Sequence, residues 1–216
     1  MVLRLADALD LPLRERNRLL SLAGFAPAYP VGDLHTDDLA PFRQAVDRLL
    51  ATHEPYPAYV FDRQWTIVGN NDAGRRFLPA LDSPVAERLA AWAELIVNLE
   101  DVLPAFMDRL SADLARYPDD PVLRDVHDMA IEMFATARRP HRDPSARVLC
   151  PQFRIDGQVV RTLSVIASFD AVMDVTLDEL RVELIYPEDQ AAERFFRERA
   201  GSSWHELGDA GQHPRD

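Results

Sequence analysis

Asp125, His127, Asp128 and Glu132 form the most suggestive polar group in the sequence, a set of residue types that could do acid–base or metal chemistry. On a helix, Asp125, Asp128 and Glu132 share one face, while His127 points elsewhere. Arg124 and Asp128 make an ordinary i,i+4 pair, so the group reads as a solvated helix face rather than a metal site. His35, His53 and His141 have no partner at ligand spacing and receive no function. No GxGxxG, GxSxG or HExxH motif and no Cys/His cluster occurs. All 24 basic residues are arginine. Schiff-base chemistry, P-loop phosphate binding and kinase-type phosphate positioning each need a lysine and are excluded. Cys150 is the single cysteine, so an intramolecular disulfide is excluded. It reads as a core or strand residue, with a redox sensor as the alternative. No cofactor is implied, and the chain reads as non-enzymatic. Catalysis by Asp125, Asp128 or Glu132 would require those carboxylates to converge in a cleft.

The large apolar side chains say more. Tyr59, Phe61, Trp65, Phe77, Trp92, Phe106, Met107, Met129, Met133 and Phe134 gather around one strand pair and one helical stretch. They form either a filled core or the wall of a cavity. A core needs large apolar residues at these periods. Methionine also adapts to irregular ligands, and clefts for hydrophobic molecules are mostly apolar with a few polar anchors.

The elements that must position them follow from periodicity. Leu5, Ala6, Leu9 and Leu11 line one face of a first helix. A second runs from Pro12 to Ala23, with Gly24 at C′ and Pro27 blocking continuation. Two helices this short cannot bury their own faces and require packing partners. Thr36 or Asp37 caps a third helix, with Leu39, Phe42, Val46, Leu49 and Leu50 recurring at helical spacing. "YPAYVFDRQWTIVGNNDAGRRFL" reads as strand, turn and strand, with Asn70 or Asn71 capping a short helix that ends near Phe77.

Residues 83–137 are expected to be helical. Ser83 and Pro84 serve as N-cap and N1 of the first segment, and Asp101 caps the second, with Pro104 in its first turn. Asp120-Pro121 starts a third, in which Val122, Val126, Met129, Met133 and Phe134 face inward, giving an αα-hairpin. From Arg147 the period becomes two, and Asp156-Gly157 signals a hairpin. "ELRVELIY" adds a strand, and 188–199 a closing helix. The sum is an α+β domain on an antiparallel sheet of about five strands, with a helical insertion between the second and third and short helices in front.

The net charge is −12 over 216 residues, with +1 on residues 1–30 (four arginines against three carboxylates) and therefore −13 on the rest. So acidic a chain repels phosphate backbones. No apolar run approaches bilayer length, and Arg4, Asp7 and Asp10 interrupt any signal-peptide pattern, so a cytoplasmic location without membrane association is expected.

"VLRLADALDLPLRERNRLLSLAGFAPAYP" resembles the last two helices of an XRE/Cro-type helix-turn-helix domain. "YPAYVFDRQWTIVGNNDAGRRFL", "ARYPDDP" and "IASFDAVMDVTLDELRVELIYPED" resemble the ligand-binding domain of MmyB-like transcription regulators. The likeness runs to about residue 200. It implies a PAS-like domain over 31–200 with an apolar pocket for fatty-acid-like molecules, and a remnant of a DNA-binding domain over 1–30. The last residues, 201–216, read as a disordered tail. The helices that read DNA are expected upstream of Met1, so this chain is not expected to bind DNA specifically. A homodimer is expected. The ligand-binding candidates rest on periodicity alone: Tyr59, Phe61, Trp65, Phe77, Trp92, Met107, Met133, Phe153 and Leu163, with Asn70 as a polar anchor. The alternative is a filled PAS-like module that dimerises without a ligand.

Overall fold

Alternating apolar and polar residues around tight turns build the sheet. The computed structural model describes residues 1–135, 148, 150–170 and 172–200, with backbone alone at 86, 133 and 134. Strands β1 (Ala58–Phe61) and β2 (Ile67–Asn70) form a hairpin. In its turn, Asp62 Oδ1 accepts from the amides of Gln64 and Thr66 at 2.9 and 2.8 Å. Strands β3 (Gln152–Ile155) and β4 (Gln158–Ser168) meet at Asp156-Gly157, whose φ values of 47° and 77° are those of a type I′ turn. Strand β5 (Arg181–Pro187) lies at the centre of the order β2-β1-β5-β4-β3, every neighbouring pair antiparallel. The sheet curls into a half-barrel, giving a PAS-like α+β fold. All four β1 residues are buried because both faces of the strand are covered. Tyr59 and Phe61 join one apolar cluster; Ala58 and Val60 join another behind the sheet.

At the N-terminus, α1 (Val2–Ala8) and α2 (Leu13–Leu22) pack on each other. Helix α2 starts one residue later than expected, since Pro12 is extended (ψ 156°) and acts as the N-cap. A Schellman motif ends it: Gly24 has φ 80°, its amide donates to Ser21, and the Phe25 amide donates to Leu20. The buried face is Ala6, Leu13 and Leu20, whereas Leu5 and Leu9 are more than half exposed, which corrects the expected stripe. Polar contacts dock α2 on the domain. The Leu13 amide donates to Asp178 at 3.0 Å, and Arg14 makes a two-point pair with Glu179 at 2.6 and 3.0 Å. A 3-10 turn (Asp37–Leu39) precedes α3 (Ala40–Thr52), so Thr36 caps that turn and not the helix itself. Helix α3 covers the back of the sheet through Phe42, Val46 and Leu50.

The insertion comprises α4 (Asp72–Phe77), α5 (Val85–Leu95), α6 (Leu99–Arg116) and α7 (Pro121–Phe134). Several expected boundaries shift. Pro84 rather than Ser83 is the N-cap of α5, because its ψ of 146° is extended. Asn98 precedes α6, leaving Asp101 inside the first turn, where a carboxylate complements the helix dipole, and Pro104 beyond it. Asp120 caps α7, accepting from Val122 and Leu123. The inward residues of α7 are Leu123, Val126 and Ala130, while Val122 is exposed. The short α8 (Val175–Asp178), capped by Asp174, is an unanticipated element before β5. Helix α9 (Gln190–Ala200) packs Phe195 and Phe196 against β4 and β5. Cys150 is half-buried just before β3, and burial pushes its thiol up. The expected change of period at Arg147 and the expected tail 201–216 lie outside the described residues. Among the described residues no helix is long and apolar enough to cross a membrane.

Asn71 ties the hairpin to the helices on either side. Its Oδ1 accepts from Ala58 and Gly74 at 3.0 and 2.8 Å, and its Nδ2 donates to Leu50 and Tyr56 at 3.2 and 2.8 Å. Replacing it strands buried backbone groups. Asn71→Ala is expected to lower unfolding free energy in urea by about 3 kcal/mol.

Candidate ligand-binding cavity

The concave face of the sheet is not filled by its own side chains. A cavity of about 350 Å3 lies between it and the helices α5 and α6. Strand parity decides which residues form the floor: Tyr59 and Phe61 from β1, Glu183 and Ile185 from β5, Ser164 and Ile166 from β4, and Phe153 from β3. Glu183 pairs with Tyr59 on one side and Ile166 on the other, so it sits mid-sheet. Trp92 and Ile96, with Leu99, Leu103, Phe106 and Arg109 of α6, form the opposite wall.

Of the residues singled out from sequence, Tyr59, Phe61, Trp65, Trp92 and Phe153 meet around this cavity. Leu163 does not. It stands across from Tyr186, one position out of phase with Ser164 and Ile166, and therefore on the other face. Asn70 ends β2 and does not line the cavity; its Oδ1 is buried without a partner among the described residues. Phe77 packs edge-on against Phe153 at 4.9 Å and tilted against Phe196 at 5.3 Å, in the core beside the cavity. Met107 faces away with the α5–α7 cluster. The Met133 side chain lies outside the described residues.

Sequence reasoning missed Arg109, Glu183 and Ser164. Arg109 follows Phe106 by three residues, and Glu183 shares parity with Ile185; those spacings were the available signal.

Trp65 organises the rim. Its φ of 64° is left-handed, rare for a bulky residue, and it is 6% exposed. Its Nε1 donates to Asp113 at 3.2 Å, and Arg181 donates to the same carboxylate at 2.6 Å. The guanidinium carbons of Arg109 and Arg181 lie 4.7 and 5.2 Å from its ring centre, and Phe106 meets it edge-on. Arg88, itself buried, donates to the Trp65 carbonyl. Burial pulls the Arg109 pKa below its ordinary value; Glu183 and Asp113 oppose the shift and Arg181 adds to it. Burial, helped by Glu183, pushes the Tyr59 phenol well up, and its hydroxyl donates to the Gly74 carbonyl at 2.8 Å.

The carboxylate group first considered lies outside the cavity. Ser111 Oγ, His127 and Asp128 form a hydrogen-bonded chain with both contacts at 3.2 Å. The order matches a hydrolytic triad, but the Asp128 side chain is 66% exposed and Ser111 stands inside α6, where the backbone amides are engaged in the helix. Among the described residues no group of three or more His, Cys, Asp or Glu could hold a metal.

A curled antiparallel sheet facing a helical layer across an apolar cavity defines a PAS-like ligand-binding domain. Residues 42–198 match the MmyB-like transcription regulator ligand binding domain, and the chain belongs to that family. No curated protein matches the chain.

An ionic chain leads from the β1–β2 turn to α2. Arg63 donates to Asp120 at 2.6 Å and to Glu179 at 3.0 Å, and Glu179 also receives Arg14. Burial opposes ionisation of Asp120, but hydrogen bonds from Arg63, the Leu123 amide and Gln64 prevail and hold its carboxyl below the ordinary value. A lowered folded pKa adds stability that is present above the unfolded value of about 3.9 and fades as pH falls through the folded one. Asp120→Asn keeps the helix cap and removes the charge. It is expected to lose about 2 kcal/mol at neutral pH and to unfold with a shallower acid dependence than wild type, measured by denaturant titration across acid pH.

Proposed function

We propose that this chain is the effector-sensing part of a helix-turn-helix transcriptional regulator and that its effector is an apolar molecule of the fatty-acid type. The cavity between β-sheet and α5–α6 carries the reading, since its size lies in the range of small-molecule sites and aromatic and aliphatic side chains form most of its wall. Such a wall gains roughly 25 cal/mol for each Å2 of apolar ligand surface removed from water. On this reading α1 and α2 are the trailing helices of the DNA-binding domain. Leu5, Leu9, Leu22 and Phe25, each more than half exposed, support that placement as a seat for further helices. The acidic remainder repels DNA, so recognition belongs to those further helices. In a homodimer, ligand contacts that differ between two conformations bias the spacing of the attached DNA-binding halves.

Native mass spectrometry of the purified chain is expected to show a co-purifying or added long-chain acid bound in its folded state. Ala93 lines the cavity, and Ala93→Trp is expected to fill it, weakening binding at least about tenfold while cooperative unfolding persists. A chain that binds no acid, and whose Ala93→Trp variant behaves as wild type, would instead be a filled interaction module.

A further inference from the structure

Two opposite charges, neither in a direct ion pair among the described residues, face the cavity. Arg181 is spent on Asp113, and Arg88 on backbone carbonyls, whereas Arg109 lies over the Trp65 ring and feels Glu183 and Asp113 only through space. Glu183 lies mid-sheet between Tyr59 and Ile166; the Tyr59 hydroxyl donates to Gly74, and among the described residues no hydrogen bond joins Glu183 to Ser164, which shares the face. Among the described residues neither Arg109 nor Glu183 has a hydrogen bond or an ion pair, and both line the cavity from opposite sides, helix and sheet.

Each ligand class meets this pair differently. A pure hydrocarbon displaces water from both charges and leaves them stranded in an apolar site. A simple carboxylate satisfies Arg109 but sets a second anion facing Glu183 across a low-dielectric space. A dianionic phosphate head worsens that repulsion, and among the described residues that line the cavity Arg109 is the one cation to receive it. An acid with a hydroxyl beside its carboxylate satisfies both groups, because a guanidinium binds a carboxylate in a two-point fork and a carboxylate accepts strongly from a hydroxyl.

We infer that the cavity takes an amphiphilic hydroxy acid: Arg109 holds its carboxylate, Glu183 accepts from its hydroxyl, and the aromatic wall holds its chain. This rests on the reading of the cavity as a ligand site and narrows the class of ligand. Glu183 is then the residue that sets specificity, and Arg109 supplies affinity for any acid.

Calorimetric titration of the whole chain with decanoate and with β-hydroxydecanoate tests it. Wild type is expected to bind the hydroxy acid roughly tenfold more tightly. Glu183→Leu, whose folding is checked by its melting transition, is expected to erase that preference by improving decanoate. Arg109→Gln is expected to weaken both acids. Equal affinities in wild type, or a preference that survives Glu183→Leu, overturn the inference and leave the sensing role standing. If neither acid binds wild type and no apolar molecule co-purifies, the sensing role fails and this inference fails with it.

Discussion

Trp65 enters the domain from a left-handed backbone position, which L residues with large side chains rarely adopt. The turn around it over-determines that geometry. Asp62 accepts from two amides ahead of the indole and behind it, and the Asp62 amide and Thr66 carbonyl close the hairpin at 3.0 Å. What the strained residue secures is placement. With φ reversed, the indole leaves the hairpin and enters the helical insertion, where Asp113, Phe106 and Arg88 fix its edge, its flank and its carbonyl. One side chain thereby links β1–β2 with α5 and α6, and strain of this kind persists where its surroundings hold it and concentrates at functional sites.

The cavity follows from that linkage. A half-barrel leaves a concave face, and α5 and α6 meet it through bulky rings at Trp65, Trp92 and Phe153 instead of settling onto it with small residues. Close packing would ordinarily remove so large a void, since each lining atom forfeits dispersion contacts. It would also exclude charge. Glu183 on the central strand and Arg109 on the wall are the reverse of what a filled core selects, because a desolvated ion without a partner is strongly unfavourable. Their presence on facing sides of a single void favours an occupied site over a packing defect.

How much of this could be read from the sequence depends on the range of the interaction involved. Local rules served well: Asp156-Gly157 made its type I′ turn, Asn71 and Asp120 capped their helices, and Gly24 closed α2 in a left-handed position. Helix starts drifted at Pro12 and Pro84, where proline lay just outside the helix and not just inside it. Pairing across the sheet was less legible. Leu163 and Ser164 are equally plausible inward residues until β5 fixes the register, and a shift of one position exchanges them. Arg109 and Glu183 carry no mark in the sequence, because the pattern of a wet cavity and that of a surface are the same along the chain. The left-handed Trp65 had no signal at all, as neither glycine nor asparagine marks the position.

The same charges bear on how a site inside the sheet can act on helices in front of it. Trp65 shares Asp113 with Arg181, the first residue of β5. Two residues earlier, Glu179 receives Arg63 from the β1–β2 turn and Arg14 from α2, and its neighbour Asp178 accepts from the Leu13 amide. Cavity rim and α2 are therefore joined by one short run of backbone, Asp178 to Arg181, with charged groups on both ends. On the proposed reading, an acid head group at Arg109 would compete with the Trp65 ring for that guanidinium, and Trp65 shares Asp113 with Arg181. Coupling requires such a difference between bound and free states and a connected structure to carry it. Helices tethered by apolar burial alone would slide without specific register. Helices tethered by the bidentate Arg14–Glu179 pair must move with the start of β5 or break it.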